Sequence, residues 1–102
     1  MPDYKSVIDQ QISSKPVFIY MKGSPNMPMC GFSARATEVL KAAGADFGSF
    51  NILDDMNLFE ELKKRNQWPT SPQIYVKGEF VGGCDIICEL YETGELQQML
   101  KN

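Results

Sequence analysis

The sequence predicts an α/β sandwich, a small mixed sheet held between helices. Two patterns carry this expectation. Helical and strand-like segments alternate through most of the chain, and near its end two short apolar runs flank a tight turn. The resulting order is α-β-α-β-α-β-β-α. A chain of 102 residues has room for one core, so residues 1–102 are read as a single domain.

Asp3 is placed to cap a first helix, in which Val7, Ile8 and Ile12 recur at helical spacing. Pro16 opens "PVFIYM", an unbroken apolar run of the kind found in a strand covered on both faces. "KGSPNMP" reads as a loop from its Gly, Pro and Asn content. From Cys30 onward, Phe32, Ala36, Val39, Leu40 and Ala43 mark one helical face, and Gly44 ends the helix. "DFGSFNIL" supplies a second strand. Asp54 or Asp55 then caps a helix carrying Leu58, Phe59 and Leu62. "QIYV" and "EFVG" flank Lys77-Gly78 as a hairpin. Gly82 and Gly83 precede a last helical stretch with Ile86, Ile87, Leu90 and Tyr91, broken or kinked at Gly94.

With 43% hydrophobic and 23% charged residues, the composition is that of an ordinary globular protein, which argues against disorder. No apolar run approaches the ~20 residues of a membrane span, so no membrane association is expected. "MPDYKSVIDQQ" carries acidic residues and lacks an apolar core, unlike a secretory signal or a typical transit peptide. The expected location is the cytoplasm of a bacterium, or an organelle matrix if a targeting segment has been removed. The net charge is −3 and the basic residues are dispersed apart from "KKR" at 63–65, which speaks against nucleic-acid binding. Three cysteines, an odd number, argue against a disulfide framework and for a reducing compartment. The absence of histidine excludes Ser-His and Cys-His catalysis and most zinc sites.

The chemistry concentrates in three stretches. "NMPMCGFSARATEVL" sets one cysteine immediately before a helix, with Ser33 where a Cys-x-x-Cys pair would have its second thiol. A thiol reacts as thiolate, and its ordinary pKa of about 8.5 leaves it mostly protonated in a neutral cell. The unpaired N–H groups and dipole of a helix start favour the anion. Lys22 is either a solvated charge or a cation folded back toward the sulfur. The alternative for Cys30, burial as a small hydrophobe, suits a loop end after Pro28 poorly. Met27 and Met29 are packing or exposed loop residues.

"WPTSPQ" holds Thr70 and Ser71 between two prolines just before a strand. An X-Pro bond is cis in only about 5–6% of cases, so the letters alone favour an ordinary proline turn. A cis Pro72 would instead leave the backbone of Ser71 free to bind an extended peptide. In "VGGCDIICELY", Asp85 either caps a helix or leaves the same N–H groups to a ligand carboxylate. Cys84 and Cys88 lie four apart on one face, as a metal pair would. Without histidine or a further nearby thiol, Cys88 is read as core and Cys84 is left open.

Taken together, "MKGSPNMPMCGFS", "WPTSPQIYVKGEFVGG" and "CDI" resemble the monothiol glutaredoxins of the CGFS type, in the thioredoxin superfamily. The likeness runs from about residue 5 to residue 101, with three separated motifs in order. It implies a thioredoxin-like (glutaredoxin) sandwich: a four-stranded mixed sheet flanked by helices, with a glutathione groove. By position, Cys30 would be the active thiolate and Lys22 a partner for the glycine carboxylate of glutathione. Thr70 and Ser71 would bond the cysteinyl part through their backbone, with Pro72 cis, and Cys84 and Asp85 would hold the γ-glutamyl end. Two positions depart from the family pattern. Phe59 stands where a basic residue is frequent, so Lys63 or Arg65 would have to replace that charge. Ser71 stands where a larger apolar residue is common, which makes one wall of the groove shallower.

The family also implies a [2Fe-2S] cluster, which usually takes four thiolates. Cys30 supplies one per chain, so a homodimer with two glutathiones would share the cluster. Ser33 cannot draw Cys30 into an intramolecular disulfide. The function implied is cluster transfer between a scaffold and acceptor proteins, with a BolA-like protein as a further partner. The rival is an enzyme that reduces glutathione mixed disulfides with one thiol, with a variant in which Cys84 resolves oxidised Cys30.

Overall fold

A computed structural model describes residues 3–101. Five helices, α1 (Tyr4–Ser13), α2 (Gly31–Ala42), α3 (Met56–Asn66), α4 (Cys84–Thr93) and α5 (Glu95–Lys101), surround a sheet of β1 (Val17–Met21), β4 (Phe47–Asn51), β5 (Gln73–Val76) and β6 (Glu79–Gly82). The strands β2 (Gly23–Ser24) and β3 (Met27–Pro28) form a separate small ribbon. The four-stranded sheet has the order β4-β1-β5-β6, with β1 parallel to β4 and antiparallel to β5.

All five residues of β1 are buried, which accounts for its unbroken apolar run. Side chains alternate across a strand, and here the alternation divides the core. Val17, Ile19 and Met21 pack with Ala36 and Leu40 of α2, Ile87 of α4 and Leu96 of α5. Phe18 and Tyr20 face the other way, against Ile8 and Ile12 of α1 and Leu58, Phe59 and Leu62 of α3. A helix layer therefore covers each side of the sheet.

Several expectations become definite. Asp3 caps α1 through the N–H of Ser6, and Asp55, not Asp54, caps α3 by accepting from the N–H of Leu58 at 3.1 Å. Lys77 and Gly78 both have positive φ, 51° and 81°, as a two-residue hairpin turn requires. Gly94, at φ +83°, breaks the last helical stretch into α4 and α5.

Other expectations are corrected. "KGSPNMP" contains the β2–β3 ribbon, in which Gly23 pairs with Pro28 and Ser24 with Met27. Gly23 has φ +87°, and a Cβ there would collide with the carbonyl of Met27. Two-residue strands carry no periodicity, so composition alone reads as loop. The second strand stops at Asn51 and Ile52–Asp54 form a 3-10 turn. There the Asn51 carboxamide oxygen accepts from the N–H groups of Leu53 and Gly23, both at 3.0 Å. Phe32, expected on the buried face of α2, is 62% exposed, while Ser33 is fully buried. Each residue of the "KKR" cluster sits in an ion pair: Lys63 with Glu60, Lys64 with Glu61 and Arg65 with Asp9. Among the described residues, no helix is long and apolar enough to cross a membrane.

Candidate functional site

The sheet topology sets the site. β1 ends at Met21 and runs on into Lys22, while its antiparallel neighbour β5 starts at Gln73 directly after the proline segment. The chain ends that bear the motifs therefore meet at one end of the sheet's central strands, where α2 and α4 also begin. A cleft of about 690 Å³ opens there. Lys22, Cys30, Thr70 and Ser71 line it, together with Pro72, Cys84 and Asp85. The structure thus brings every residue singled out for the site into one place, along with Phe32, Phe59, Trp68 and Gly83.

Cys30 is the N-cap residue of α2, in extended backbone conformation, and its thiol is half-buried. The thiol is held below its ordinary pKa. The N–H of Ser33 contributes most, and burial opposes it. The N–H of Phe32 comes next, ahead of the Lys22 charge and the Ser33 hydroxyl. The helix start thus outweighs the lysine. Ser33 also shapes the local structure. Its buried hydroxyl accepts from the backbone N–H of Lys22 at 3.2 Å, tying the start of α2 to the end of β1.

The peptide bond between Ser71 and Pro72 is cis. The residue that holds this segment is one to which the sequence reading gives no role although the motif contains it, the fully buried Gln73. Its carboxamide donates to the carbonyls of Trp68 at 2.9 Å and Thr70 at 3.1 Å, and accepts from Asn66 at 2.8 Å. The one available hint is a polar residue opening an otherwise apolar strand. Trp68, which opens the same motif, is likewise given no role. Its ring packs edge-on against Phe80, with centroids 5.5 Å apart. Its Nε1 is buried and has no hydrogen-bond partner among the described residues.

At α4 the alternatives left open by the sequence are decided. Asp85 is exposed, and the N-cap position is held by Gly83, so no described side chain caps the helix. The first-turn N–H groups are left to a ligand. A Cβ on Gly83 would lie 3.1 Å from the Pro72 carbonyl and 3.3 Å from the Trp68 Nε1, so glycine keeps this floor of the cleft bare. Cys84, left open by the sequence, is buried, and Cys88, read as core, packs against the core but is only partly buried. Burial, and then the neighbouring Cys88, push the Cys84 thiol up to about 11. The Cys88 sulfur accepts from Nε of Arg35 at 3.3 Å.

Of the two basic residues considered beside Phe59, Arg65 is engaged by Asp9 at 2.6 Å. Lys63 lies over the Phe59 ring, 5.1 Å from its centre, and is paired with Glu60. Neither lines the cleft.

These features fit a short peptide that carries carboxylates and a thiol. The cleft offers a cation at Lys22, a bare helix N-terminus at Gly83, an orphaned indole N–H and a thiolate-favouring sulfur. Glutathione has that chemistry. A cluster held by one chain alone does not fit, because no three Cys, Asp or Glu side chains converge among the described residues.

Comparison with known proteins agrees with this geometry. Residues 17–81 match the family model described as glutaredoxin. The chain is 51% identical over 94 residues to glutaredoxin 4 of Escherichia coli K12, covering 92% of this chain and 82% of that protein. It is 50% identical over 94 residues to monothiol glutaredoxin-S11 of rice, covering 92% of this chain but spanning only 19% of the rice protein. The solution structure of reduced apo GrxS14 from poplar superposes with a TM-score of 0.84 at 44% identity, covering 95% of this chain and 89% of the other. With the four-stranded mixed sheet and the single thiol at the head of α2, these matches establish that the chain belongs to the glutaredoxin family, as a monothiol member of the thioredoxin superfamily.

Proposed function

We propose that this protein carries a [2Fe-2S] cluster as cargo, held between two chains by Cys30 of each and by two glutathione thiolates, and passes it to acceptor proteins. The observation that carries this reading is the isolation of Cys30. It is the one thiol at the cleft with a lowered pKa, and Cys84 beside the same cleft stays protonated. One thiolate per chain cannot complete a four-thiolate set, whereas two chains and two tripeptides can.

The division of labour among the residues then follows. The α2 backbone keeps the Cys30 sulfur anionic and ready to ligate. Lys22 attracts the glycine carboxylate of glutathione, while the backbone of Thr70 and Ser71 beside Pro72 aligns its cysteinyl unit. The free first-turn N–H groups of α4, at Cys84 and Asp85, receive the γ-glutamyl carboxylate. Ser33 prevents Cys30 from leaving the ligand set as a disulfide, so release proceeds by exchange with incoming thiolates. Met27, Met29 and Phe32 are 77%, 67% and 62% exposed around Cys30, an apolar rim suited to the second chain, a BolA-like partner, or scaffold and acceptor proteins. A reduced glutathione pool, and hence a cytoplasmic setting, suits this chemistry.

Anaerobic reconstitution with iron, sulfide and glutathione is expected to give a coloured dimer with about two irons per two chains. Cys30→Ser should remain colourless, and equal colour from that variant would refute the reading.

The accessibility of Cys30 supports a second reading, reduction of glutathione mixed disulfides. The Cys30 thiolate would attack the glutathione sulfur and release the target thiolate. A second glutathione thiolate would then attack the Cys30 mixed disulfide, freeing Cys30 and leaving oxidised glutathione. A glutathione-coupled assay on a glutathionylated peptide separates the two. Rapid turnover favours the enzyme, and slow turnover with firm cluster binding favours the carrier.

A further inference from the structure

The cleft is unequal at its two ends. Helices α2 and α4 lie on one side of the sheet and α1 and α3 on the other. A glutathione whose γ-glutamyl end meets the start of α4 and whose sulfur lies at Cys30 therefore runs toward α3 with its glycine end. At the α4 end polar groups are plentiful. They are the uncapped first-turn N–H groups, the Asp85 carboxylate and the indole N–H of Trp68, which lies beside Gly83 without a partner among the described residues.

The α3 end is bare of such groups. Among the described residues, the one α3 side chain that lines the cleft is Phe59. Its ring is only 7% exposed and packs in the core with Ile8, Leu58 and Leu62, so it is fixed in place and offers a carboxylate no donor. The cations of α3 are engaged elsewhere. Lys63, above the Phe59 ring, is paired with Glu60 at 2.6 Å, Lys64 with Glu61 at 3.9 Å and Arg65 with Asp9 at 2.6 Å. Lys22 is the one cation lining the cleft among the described residues, and it also acts on Cys30, whose anionic form it favours. A partly exposed lysine shared between two anions adds at most about fivefold to affinity. A group attached at the glycine end has room, because Trp68 and Pro69 also border a shallow depression of about 400 Å³.

On the reading that glutathione occupies this cleft, we infer that the cleft recognises the γ-glutamyl and cysteinyl units and leaves the glycine carboxylate unread, with Phe59 as the residue that sets this specificity. Thiol tripeptides whose glycine carboxylate is masked as an ester or amide are then ligands nearly as good as glutathione.

Competition for Cys30 provides the test. The reduced protein is equilibrated without oxygen with equal amounts of glutathione, its glycine ethyl ester and cysteinylglycine, which lacks the γ-glutamyl unit, together with their disulfides. The Cys30 thiolate attacks a disulfide sulfur, forming a mixed disulfide and releasing the other half as thiolate. Peptide mass analysis gives the share of each adduct at Cys30, normalised to a short cysteine peptide in the same mixture. Glutathione and its ester should share Cys30 within about fivefold, with little change on adding salt. Cysteinylglycine should fall behind glutathione by about tenfold or more. Phe59→Arg and Phe59→Lys, each verified as folded by circular dichroism, should shift the balance from ester to glutathione by about tenfold. A preference of the parent protein for glutathione over the ester beyond about fivefold, with cysteinylglycine still disfavoured, would overturn the inference and leave glutathione in the cleft. Folded Phe59 variants with an unchanged balance would also overturn it. Cysteinylglycine competing equally would overturn both readings, by removing glutathione from the cleft.

Discussion

Two helices start at the same cleft, and they treat a cysteine in opposite ways. In α2, Cys30 occupies the N-cap itself, and the N–H groups of Ser33 and Phe32 lower its pKa. In α4 the N-cap is Gly83 and the cysteine comes one residue later, where burial pushes it up to about 11. One residue of register relative to the helix start separates a reactive thiol from an inert one. A helix dipole is not sufficient: the sulfur must stand outside the first turn, where the N–H groups point at it and water still reaches it.

The largest effect expected from this contrast is in thiol reactivity. At neutral pH, Cys30 should react with iodoacetamide on the order of 100-fold faster than Cys84 or more, because Cys84 is held up at about 11, well above the ordinary thiol value of about 8.5, while the Cys30 thiol is held low. Peptide mass analysis of timed samples gives the ratio, and equal labelling of the two would erase the contrast. The same shifts fix a sign for stability. Between the ordinary thiol value of about 8.5 and about 11 the unfolded chain releases the Cys84 proton while the folded chain keeps it. Stability should therefore fall as pH rises through that window. Cys84→Ala should flatten this alkaline loss in urea unfolding curves measured across it, and an unchanged slope would assign the loss to other groups.

Next comes the wall that both helix starts share. Gln73→Ala would strip the partner from the Trp68 and Thr70 carbonyls and from the Asn66 amide. A cost of about 2 kcal/mol is expected, read as a lower urea midpoint with an unchanged slope. A variant as stable as the parent would show that the proline segment is held by other means.

The smallest change is at Lys22, whose charge ranks behind the backbone N–H groups in lowering the Cys30 pKa. Lys22→Gln should slow alkylation of Cys30 at neutral pH by about threefold, and added salt should shrink the difference. A loss as large as that from removing the helix start would reverse the ranking.

Most of the fold was legible because periodicity reports burial. β1 shows it as an unbroken apolar run, and α1 and α3 as spaced apolar residues that fill one side of the core. Short-range geometry was less legible. Nothing in "KGSPNMP" announces a two-residue ribbon fixed by the backbone of Gly23, and Asn51 acts by bonding two N–H groups, one of them distant in sequence. The site residues were found through motif resemblance, and the letters alone placed only Cys30 firmly. Phe32 and Ser33 exchanged places because the first turn of α2 sits at the cleft, where an apolar side chain can face outward and a serine hydroxyl can be buried against the Lys22 backbone. Asp85 stayed ambiguous for a similar reason: an acidic residue near a helix start usually caps it, and only the structure shows that the cap position falls on Gly83. The roles of Gln73 and Trp68, though both stand in "WPTSPQ", were not legible because they lie in carbonyls and a floor supplied by other segments.

The central claim is that each chain contributes a single thiolate, so that a cluster requires two chains. Native mass spectrometry of the protein, reconstituted without oxygen in the presence of glutathione, tests it most directly. The predicted ion contains two chains, two glutathiones and one [2Fe-2S] unit, and it disappears with Cys30→Ser. A single chain carrying the intact cluster, or a dimer that keeps it without Cys30, would contradict the account.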